Sequence, residues 1–279
     1  MKIIRSIAAM QSVSRKLALK RKPVGFVPTM GALHEGHLSL IRKARKENNI
    51  VVVSIFVNPA QFSKGEDFSK YPRDLKRDVI LCRKEKVDIV FAPAAAEMYP
   101  KGYKTHISVN DLSDLLCGKF RPGHFKGVAT IVAKFFNIIN PAAAYFGQKD
   151  LQQSVIIRRM AEDLNMPVKI KVLPVIREKD GLAKSSRNRY LGESERKAAC
   201  ALYAALRAGD NLIRFGIKDS EKIIRGMRLI LKKNNARIDY IDIVDLDSLR
   251  RVKKAQKECA IIMAAWIGKT RLIDNIIIN

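Results

Sequence analysis

Two histidines, His34 and His37, stand three residues apart in the stretch PTMGALHEGHLSLI, which runs from Pro28 to Ile41. They follow a short apolar run, VGFVP, and Gly31 and Gly36 keep the side-chain bulk around them low. From Glu35 onward the pattern predicts a helix. Three explanations compete for such a pair: a metal site, a phosphate site, or plain packing. Helical metal pairs usually stand four residues apart, as in H-E-x-x-H, and the chain offers only two further histidines, His106 and His124. A helix N-terminus instead presents free backbone N–H groups and the positive end of a dipole, which favour phosphate. Glycine lets the backbone approach a ligand closely. Imidazoles there can hydrogen-bond phosphoryl oxygens as charge develops in a transition state. The phosphate reading is favoured.

Such a site needs a strand end and a helix start, and the surrounding sequence supplies both. KII, VGFVP, IVVVSIFVN, VDIVFAP, THISV, AAAYFG and VKIKVLPVI read as strands. The helical stretches among them are SIAAMQSVSRKLALK, EGHLSLIRKARKEN, YPRDLKRDVILCRKEK, GVATIVAKFFNIIN and DLQQSVIIRRMAEDL. Strands that are apolar throughout and separated by helices predict a parallel sheet covered on both faces. The expected fold class is α/β, a Rossmann-like doubly wound parallel sheet whose ligands lie beyond the carboxyl ends of its strands.

The pattern changes near Arg177. REKDGLAKSSRNRYL is a polar loop, and helices are predicted over 193–215 and 220–233. IDYIDIVDLDSL, CAIIMAAWIG and TRLIDNIIIN read as strands of a small, mostly antiparallel sheet. Helices grouped before strands predict a smaller C-terminal α+β domain. The expected division is 1–176 and 177–279.

Bulk composition narrows the function classes. With 47% hydrophobic and 29% charged residues among 279, the chain reads as globular, with room for a substantial core. Its longest apolar run, near Ile50 to Val57, is strand-sized, so no membrane partner is expected. A net charge of +26 raises the question of nucleic acid. Basic clusters such as RKARKE and KKAQKE are not interleaved with aromatics, so they read as solvated faces and no nucleic acid is expected. Such a surface would still draw in an anionic substrate. Cys82, Cys117, Cys200 and Cys259 lie far apart with no C-x-x-C spacing, which fits a reducing cytoplasm. The start, MKIIRSIAAMQSVSRKLALKRK, is basic and acid-free like a transit peptide, yet it reads as a strand and an amphipathic helix belonging to the fold.

His-x-Gly-His after a first strand resembles the signature of the nucleotidylyltransferase and class I aminoacyl-tRNA synthetase superfamily. The longer PTMGALHEGH is more specific and resembles the pantothenate synthetase (pantoate–β-alanine ligase) family. VSIFVNPAQF, YPRDLKRD, FRPGHFKGV, YFGQKDLQQ and DGLAKSSRNRYL match the same family in the same order, over essentially the whole chain. The resemblance implies an ATP-dependent ligase that condenses pantoate with β-alanine through a pantoyl adenylate, releasing pyrophosphate and AMP. It also implies magnesium as the partner of the triphosphate, a homodimer, and a second domain acting as a lid over an ATP- and pantoate-binding first domain.

Carried onto this chain, the family's ATP contacts fall on Met30, Gly31, His34, His37, Gly147, Gln148, Lys149, Asp150, Ile176, Lys184, Ser185, Ser186 and Arg187. His37, His34 and Lys149 are the expected catalytic residues, with His37 the candidate proton donor. Gln61, Gln153, Asn58 and Arg121 are the expected pantoate and β-alanine contacts, His124 accompanying Arg121 in RPGHF. Neutral amides suit a hydroxy acid, because they donate and accept without burying a charge. Asp78 is a candidate for holding magnesium. The chain departs from the family at Lys184, where an apolar residue such as Met or Leu is usual.

Three other functions remain to be weighed. A tRNA-charging or RNA-binding protein would carry a further anticodon-binding region, and the predicted second domain is small for that. A nucleotidylyltransferase acting on a phosphorylated acceptor would place cations where this chain has Asn58, Gln61 and Gln153. A nucleotide sensor would bind ATP and release no pyrophosphate.

Overall fold

The computed structural model of the protein describes residues 1–63 and 65–278. Its first part alternates strand and helix: β1 (Lys2–Ile4), α1 (Ile7–Leu19), β2 (Val24–Thr29), α2 (Glu35–Glu47), β3 (Ile50–Ile55), α3 (Leu75–Lys84), β4 (Ile89–Phe91), α4 (Ala95–Met98), α5 (Cys117–Phe120), α6 (His124–Ile139), β5 (Ala143–Gly147), α7 (Leu151–Asp163) and β6 (Lys169–Leu173). Then follow α8 (Glu193–Ala199), α9 (Ala201–Arg214), α10 (Ser220–Lys233), β7 (Arg237–Asp245), β8 (Cys259–Ile267) and β9 (Thr270–Ile277).

The first six strands form one sheet in the order β1-β4-β3-β2-β5-β6, every pair parallel. From β2 the chain steps outward through β3 to β4, and from β5 it steps the other way to β6. The order therefore reverses between β2 and β5, which pair at Gly25–Ala143 and Phe26–Ala144. A reversal opens a crevice at the carboxyl ends of the two strands. Those ends are Thr29 and Gly147, where the opening histidines and GQKD begin.

Alternate strand residues face opposite sides of the sheet. Val27, Val51, Val53, Val90 and Tyr145 pack with Leu40, Ile41 and Ala44 of α2 and Cys82 of α3. Phe26, Val52, Phe91, Ala144 and Phe146 pack on the other side with Phe135, Phe136 and Ile139 of α6. Burial of each such valine, leucine, isoleucine or phenylalanine side chain contributes about 1.5–3 kcal/mol.

The second sheet is antiparallel, ordered β7-β8-β9. One face of β8 (Ile261, Met263, Ala265, Ile267) packs on Leu202 and Leu206 of α9 and Met227 and Leu231 of α10. Its other face (Ala260, Ile262, Ala264) joins the core that contains α6 and α7, so that core runs unbroken from one sheet to the next.

Two predicted elements differ. Thr105–Val109 is not a strand: the Ile107 amide donates to Thr130 Oγ1 of α6 at 2.9 Å, and a side chain replaces the ladder partner. The helix predicted over 193–215 breaks at Cys200, whose amide bonds back only three residues to Lys197. The basic start is part of the fold, β1 pairing with β4. No helix among the described residues is long and apolar enough to cross a membrane.

Candidate active site

Beyond β2 the chain makes a tight passage before α2. Gly31 has φ +82° and Ala32 φ +50°, both left-handed. The first is natural for glycine and the second costs backbone strain. A Cβ at Gly31 would stand 3.0 Å from Asp78 Oδ2 and 3.2 Å from Ile55 Cγ2. Asp78, buried in α3, holds the passage from below: its Oδ2 accepts from the Ala32 amide and its Oδ1 from the Leu33 amide, both at 2.8 Å. The expectation of a metal ligand is thereby corrected. Both oxygens of this carboxylate are engaged inside the protein, away from the cavities described below, and Asp78 acts as the anchor of the loop that presents the histidines.

His34 caps α2, its Nδ1 accepting from the Gly36 amide at 3.2 Å. His37 reaches back, its Nδ1 accepting from the His34 amide at 3.3 Å. The two rings lie 4.1 Å apart at 36°. Because both Nδ1 atoms accept backbone hydrogens, the rings carry their protons on Nε2, and the arrangement fixes the tautomer. Gly36 is required here, since a Cβ would come within 2.9 Å of His34 Cε1. Burial, then the neighbouring His37, Lys149, Lys184 and Arg189, push His34 down to about 2. Burial pushes His37 down to about 4, with Asp150 opposing and Lys149 adding to the fall. At neutral pH the pair is a set of two uncharged N–H donors.

On the facing side, Pro59–Gln61 forms a short 3-10 turn after β3. Asn58 is buried and fully used: its Oδ1 accepts from the Ala60 amide (3.3 Å) and Tyr99 OH (2.7 Å), and its Nδ2 donates to Gly127 O and Gln61 Oε1 (both 3.1 Å). The two backbone partners fix which way the Asn58 amide points, and this in turn fixes Gln61. Gln61 Oε1 is the acceptor, so its Nε2 is the donor, lying 3.0 Å from Met30 Sδ at the cavity wall. Asn58 lines the inner cavity and also orients Gln61.

Arg121 likewise serves the framework. Its Nε and Nη2 donate to the two oxygens of Glu66 at 2.7 and 2.6 Å, and Nη2 also reaches Gln61 O at 3.2 Å. His124 Nδ1–H donates to the same carbonyl at 2.8 Å, and its Nε2 accepts from Arg121 Nη1 at 3.0 Å. Burial and the Arg121 charge push His124 down to about 3. Gln153 projects half-buried from α7 and touches the cavity, whereas Gln152 beside it is consumed by Cys117, Leu112 and Leu115 of the main chain.

The third edge is 184–187. Ser185 Oγ accepts from the Arg187 amide (3.3 Å), Ser186 Oγ lies 3.3 Å from Tyr71 OH, and Arg187 makes a two-pronged bond to Asp67 at 3.1 and 2.9 Å. Lys184 Nζ pairs with Glu178 at 3.0 Å, and its amide donates to Ile176 O at 2.9 Å. Gln148 is drawn away from the cavity, its amide donating to Asn275 Oδ1 at 3.1 Å, so a direct nucleotide contact by that side chain is not what the structure arranges.

These edges enclose an inner cavity of about 220 Å³ lined by Met30, His34, His37, Gln61, Gly147, Lys149, Asp150, Gln153, Ile176 and 184–187. It shares Arg121, His124, Lys149, Asp150, Gln153, Ser185 and Arg187 with an outer cavity of about 1020 Å³ that reaches β8 and β9. Four lysines or arginines line the inner cavity: Arg121, Lys149, Lys184 and Arg187. Among the described residues, Lys149 is the only one of them without a carboxylate partner within 4.0 Å.

The fold and this cleft have close counterparts. The model of the pantoate-beta-alanine ligase family matches residues 2–277. The chain belongs to that family. The pantothenate synthetase of Thermosipho melanesiensis is 54% identical over 279 residues, with all of both chains covered, and that of Thermotoga petrophila is 51% identical over 280 residues, again with full cover. The solved pantoate–β-alanine ligase of Thermus thermophilus superposes with a TM-score of 0.94 at 45% identity, covering 99% of each chain. That of Francisella tularensis, solved with β-γ ATP and β-alanine, gives a TM-score of 0.84 at 37% identity, covering 99% of this chain and 97% of its own.

Within this ligase family member, several groups that build the cleft escape a motif reading. Glu66 and Asp67 hold Arg121 and Arg187; Tyr99 holds Asn58; Arg177, Asp274 and Asn275 brace the base of the cleft. One signal was present: Asp274 and Asn275 are consecutive polar residues inside an apolar strand, so one of them had to face inward on each side.

Proposed function

We infer that the chain is an ATP-dependent ligase that condenses pantoate with β-alanine to pantothenate, passing through a pantoyl adenylate and releasing pyrophosphate and AMP. Family membership over essentially the whole chain supports the reaction. The observation that carries the residue roles is the pairing of one charge-ready wall with one neutral wall: two Nε2–H imidazoles and unpaired Lys149 on one side, the oriented amide of Gln61 on the other.

In the first step the pantoate carboxylate attacks the α-phosphorus of ATP, and the bond from that phosphorus to the α,β-bridging oxygen breaks to free pyrophosphate. His34 and His37 donate Nε2–H to phosphoryl oxygens as negative charge builds, and Lys149 adds a point charge. Neutral donors suit this task, and no strong acid is required of His37. Gln61 Nε2–H and the Gln153 amide hold the pantoate. In the second step the β-alanine amine attacks the acyl carbon and AMP leaves.

Magnesium fits as a companion of the triphosphate. Among the described residues no group of three or more His, Cys, Asp or Glu could hold a metal by itself. Mg²⁺ keeps most of its ligands as water and phosphate oxygens and needs only one or two carboxylates. Asp150, exposed at the rim of both cavities, is the carboxylate that would serve, and the ion would neutralise the departing pyrophosphate. Residues 1–176 supply the ATP and pantoate walls, and 177–279 cover the site as a lid. A homodimer in the cytoplasm completes the proposal.

Purified protein is expected to release pyrophosphate from ATP only when pantoate is present, and to accumulate AMP only when β-alanine is added as well. Release driven equally by other hydroxy acids, or by tRNA, would overturn the assignment. Asn58→Ala is expected to raise the KM for pantoate about tenfold, since loss of a buried hydrogen-bonded group costs about 1–3 kcal/mol. The KM for ATP should stay within about twofold, because the phosphate wall is built elsewhere. A matching rise in both constants would remove Asn58 from the role of orienting Gln61.

A further inference from the structure

Asp274 and Asn275 of β9 lie on the second sheet, yet each reaches a different half of the nucleotide site. Both are 1% exposed. Successive strand residues face opposite ways, and here both faces are occupied. Asn275 Nδ2 donates to Gln148 O at 2.9 Å and Lys149 O at 3.0 Å, and its Oδ1 accepts from Gln148 Nε2 at 3.1 Å. The amide therefore satisfies two carbonyls and one side chain of the turn that carries Lys149.

Asp274 faces Arg177, which grips it through Nη1 at 2.6 Å and Nη2 at 3.0 Å, and Arg177 Nη1 also donates to Gly181 O at 3.0 Å. The guanidinium lies 4.0 Å over the Tyr203 ring. Arg177 pairs with Ala183 across the root of the loop that carries Lys184 to Arg187, and Glu178 N–H donates to Leu182 O at 2.8 Å in the same root. The Asn275 amide N–H closes the arrangement on Asp274 Oδ1 at 2.8 Å. Two neighbouring residues thus tie the Lys149 turn and the 184–187 loop to one strand.

We propose that Asp274 and Asn275 are positioning residues for adenylation: they set the distance between Lys149 and the 184–187 loop across the triphosphate. This rests on the reading that Lys149 meets the phosphates. The Gln61 side of the pantoate wall does not depend on them, because Gln61 is held by Asn58, Arg121 and His124. β9, itself part of 177–279, thereby joins both edges of the nucleotide site to one strand.

The test uses the whole enzyme and separates its two half-reactions. Asn275→Asp keeps the side-chain shape but turns an oxygen toward the carbonyls of Gln148 and Lys149, and Asn275→Ala removes the contact. Pantoate-dependent exchange of labelled pyrophosphate into ATP is expected to fall about 10- to 100-fold in both, the scale of a misplaced reacting group. The KM for pantoate and the single-turnover rate of β-alanine attack on preformed pantoyl adenylate should stay within about twofold. A merely structural residue would lower both half-reactions alike, in step with the folded fraction. Equal losses, or exchange within about threefold of wild type, overturn the proposal. If both variants fail to fold, Gln148→Leu, which removes only the partner of Asn275 Oδ1, must show the same selective loss, and its absence counts against the proposal equally. Lys149→Ala distinguishes the two levels: if it keeps normal exchange, the reading of Lys149 fails and this inference with it. If it loses exchange while the Asn275 variants do not, only the positioning claim falls.

Discussion

His37→Asn is expected to slow pantoate-dependent pyrophosphate release by about 10²–10³-fold, the usual cost of one preorganised donor to a developing oxyanion. The choice of Asn follows from the ring's two nitrogens. Nδ1 accepts the His34 amide and closes the start of α2, and an Asn Oδ1 can take over that acceptance. Nε2–H, the atom assigned to the phosphates, has no counterpart in Asn. The fold should be preserved while the chemistry is lost. His37→Ala, which removes both, should lose the same rate and in addition about 0.5–2 kcal/mol of stability as a missing helix cap. The measurements are steady-state pyrophosphate release, pantoate affinity by titration calorimetry, and thermal unfolding of all three proteins. Pantoate affinity falling as far as the rate would mean that His37 merely shapes the cleft.

Much of the scaffold was legible because it is written in periodicity. VGFVP and IVVVSI are apolar on nearly every position and are buried on both faces, as central parallel strands must be. The reversal of strand order could not be read in the same way. It depends on β5 lying beside β2 while β4 and β1 sit on the far side, and pairing partners leave no mark in a single strand's composition. THISV has the residues of a strand, but a threonine on α6 captured its amide.

At the site, His34, His37, Gln61 and Lys149, which line the inner cavity, were legible as motif residues, whereas the groups that hold their neighbours in place were not. His34 and His37 carry information in their spacing: three apart at a helix start is what lets one ring cap the helix and the other reach back to the cap. Asn58, Arg121, Gln148 and Asp78 sit inside equally specific motifs, and yet each acts on another part of the protein. A motif marks that a residue matters, and the structure adds which neighbours its side chain holds. Asp78 makes the difference plain. A carboxylate near a phosphate site suggests magnesium, but the left-handed Ala32 leaves two amides to be satisfied below the loop, and Asp78 is the acceptor they find. Such a demand arises from backbone conformation, which no spacing rule in α3 announces.

The same neutral histidines should make the nucleotide-free protein acid-sensitive. His34, His37 and His124 are pushed down to about 2, 4 and 3, from an ordinary value of 6.5. Between those values and pH 6.5 the unfolded chain binds more protons than the folded one, so stability rises with pH and is lost on acidification. Each such histidine costs up to about 1.4 kcal/mol per pH unit below 6.5. Going from pH 7 to pH 5.5 should therefore remove about 2–4 kcal/mol from the three together. The buried carboxylates Asp78 and Asp274, which burial raises, pull in the opposite direction. The decisive quantity is therefore a difference: His37→Asn, with one fewer depressed imidazole, should lose about one third less stability over the same interval. Urea unfolding of both proteins at the two pH values measures it. Stability that is flat or rising toward pH 5.5 in the wild type, with no gap between the proteins, would mean that the rings accept protons in place. ATP should reverse part of the effect, because a triphosphate beside Nε2 favours the charged imidazole, so that binding at pH 5.5 takes up protons that binding at pH 7.5 does not.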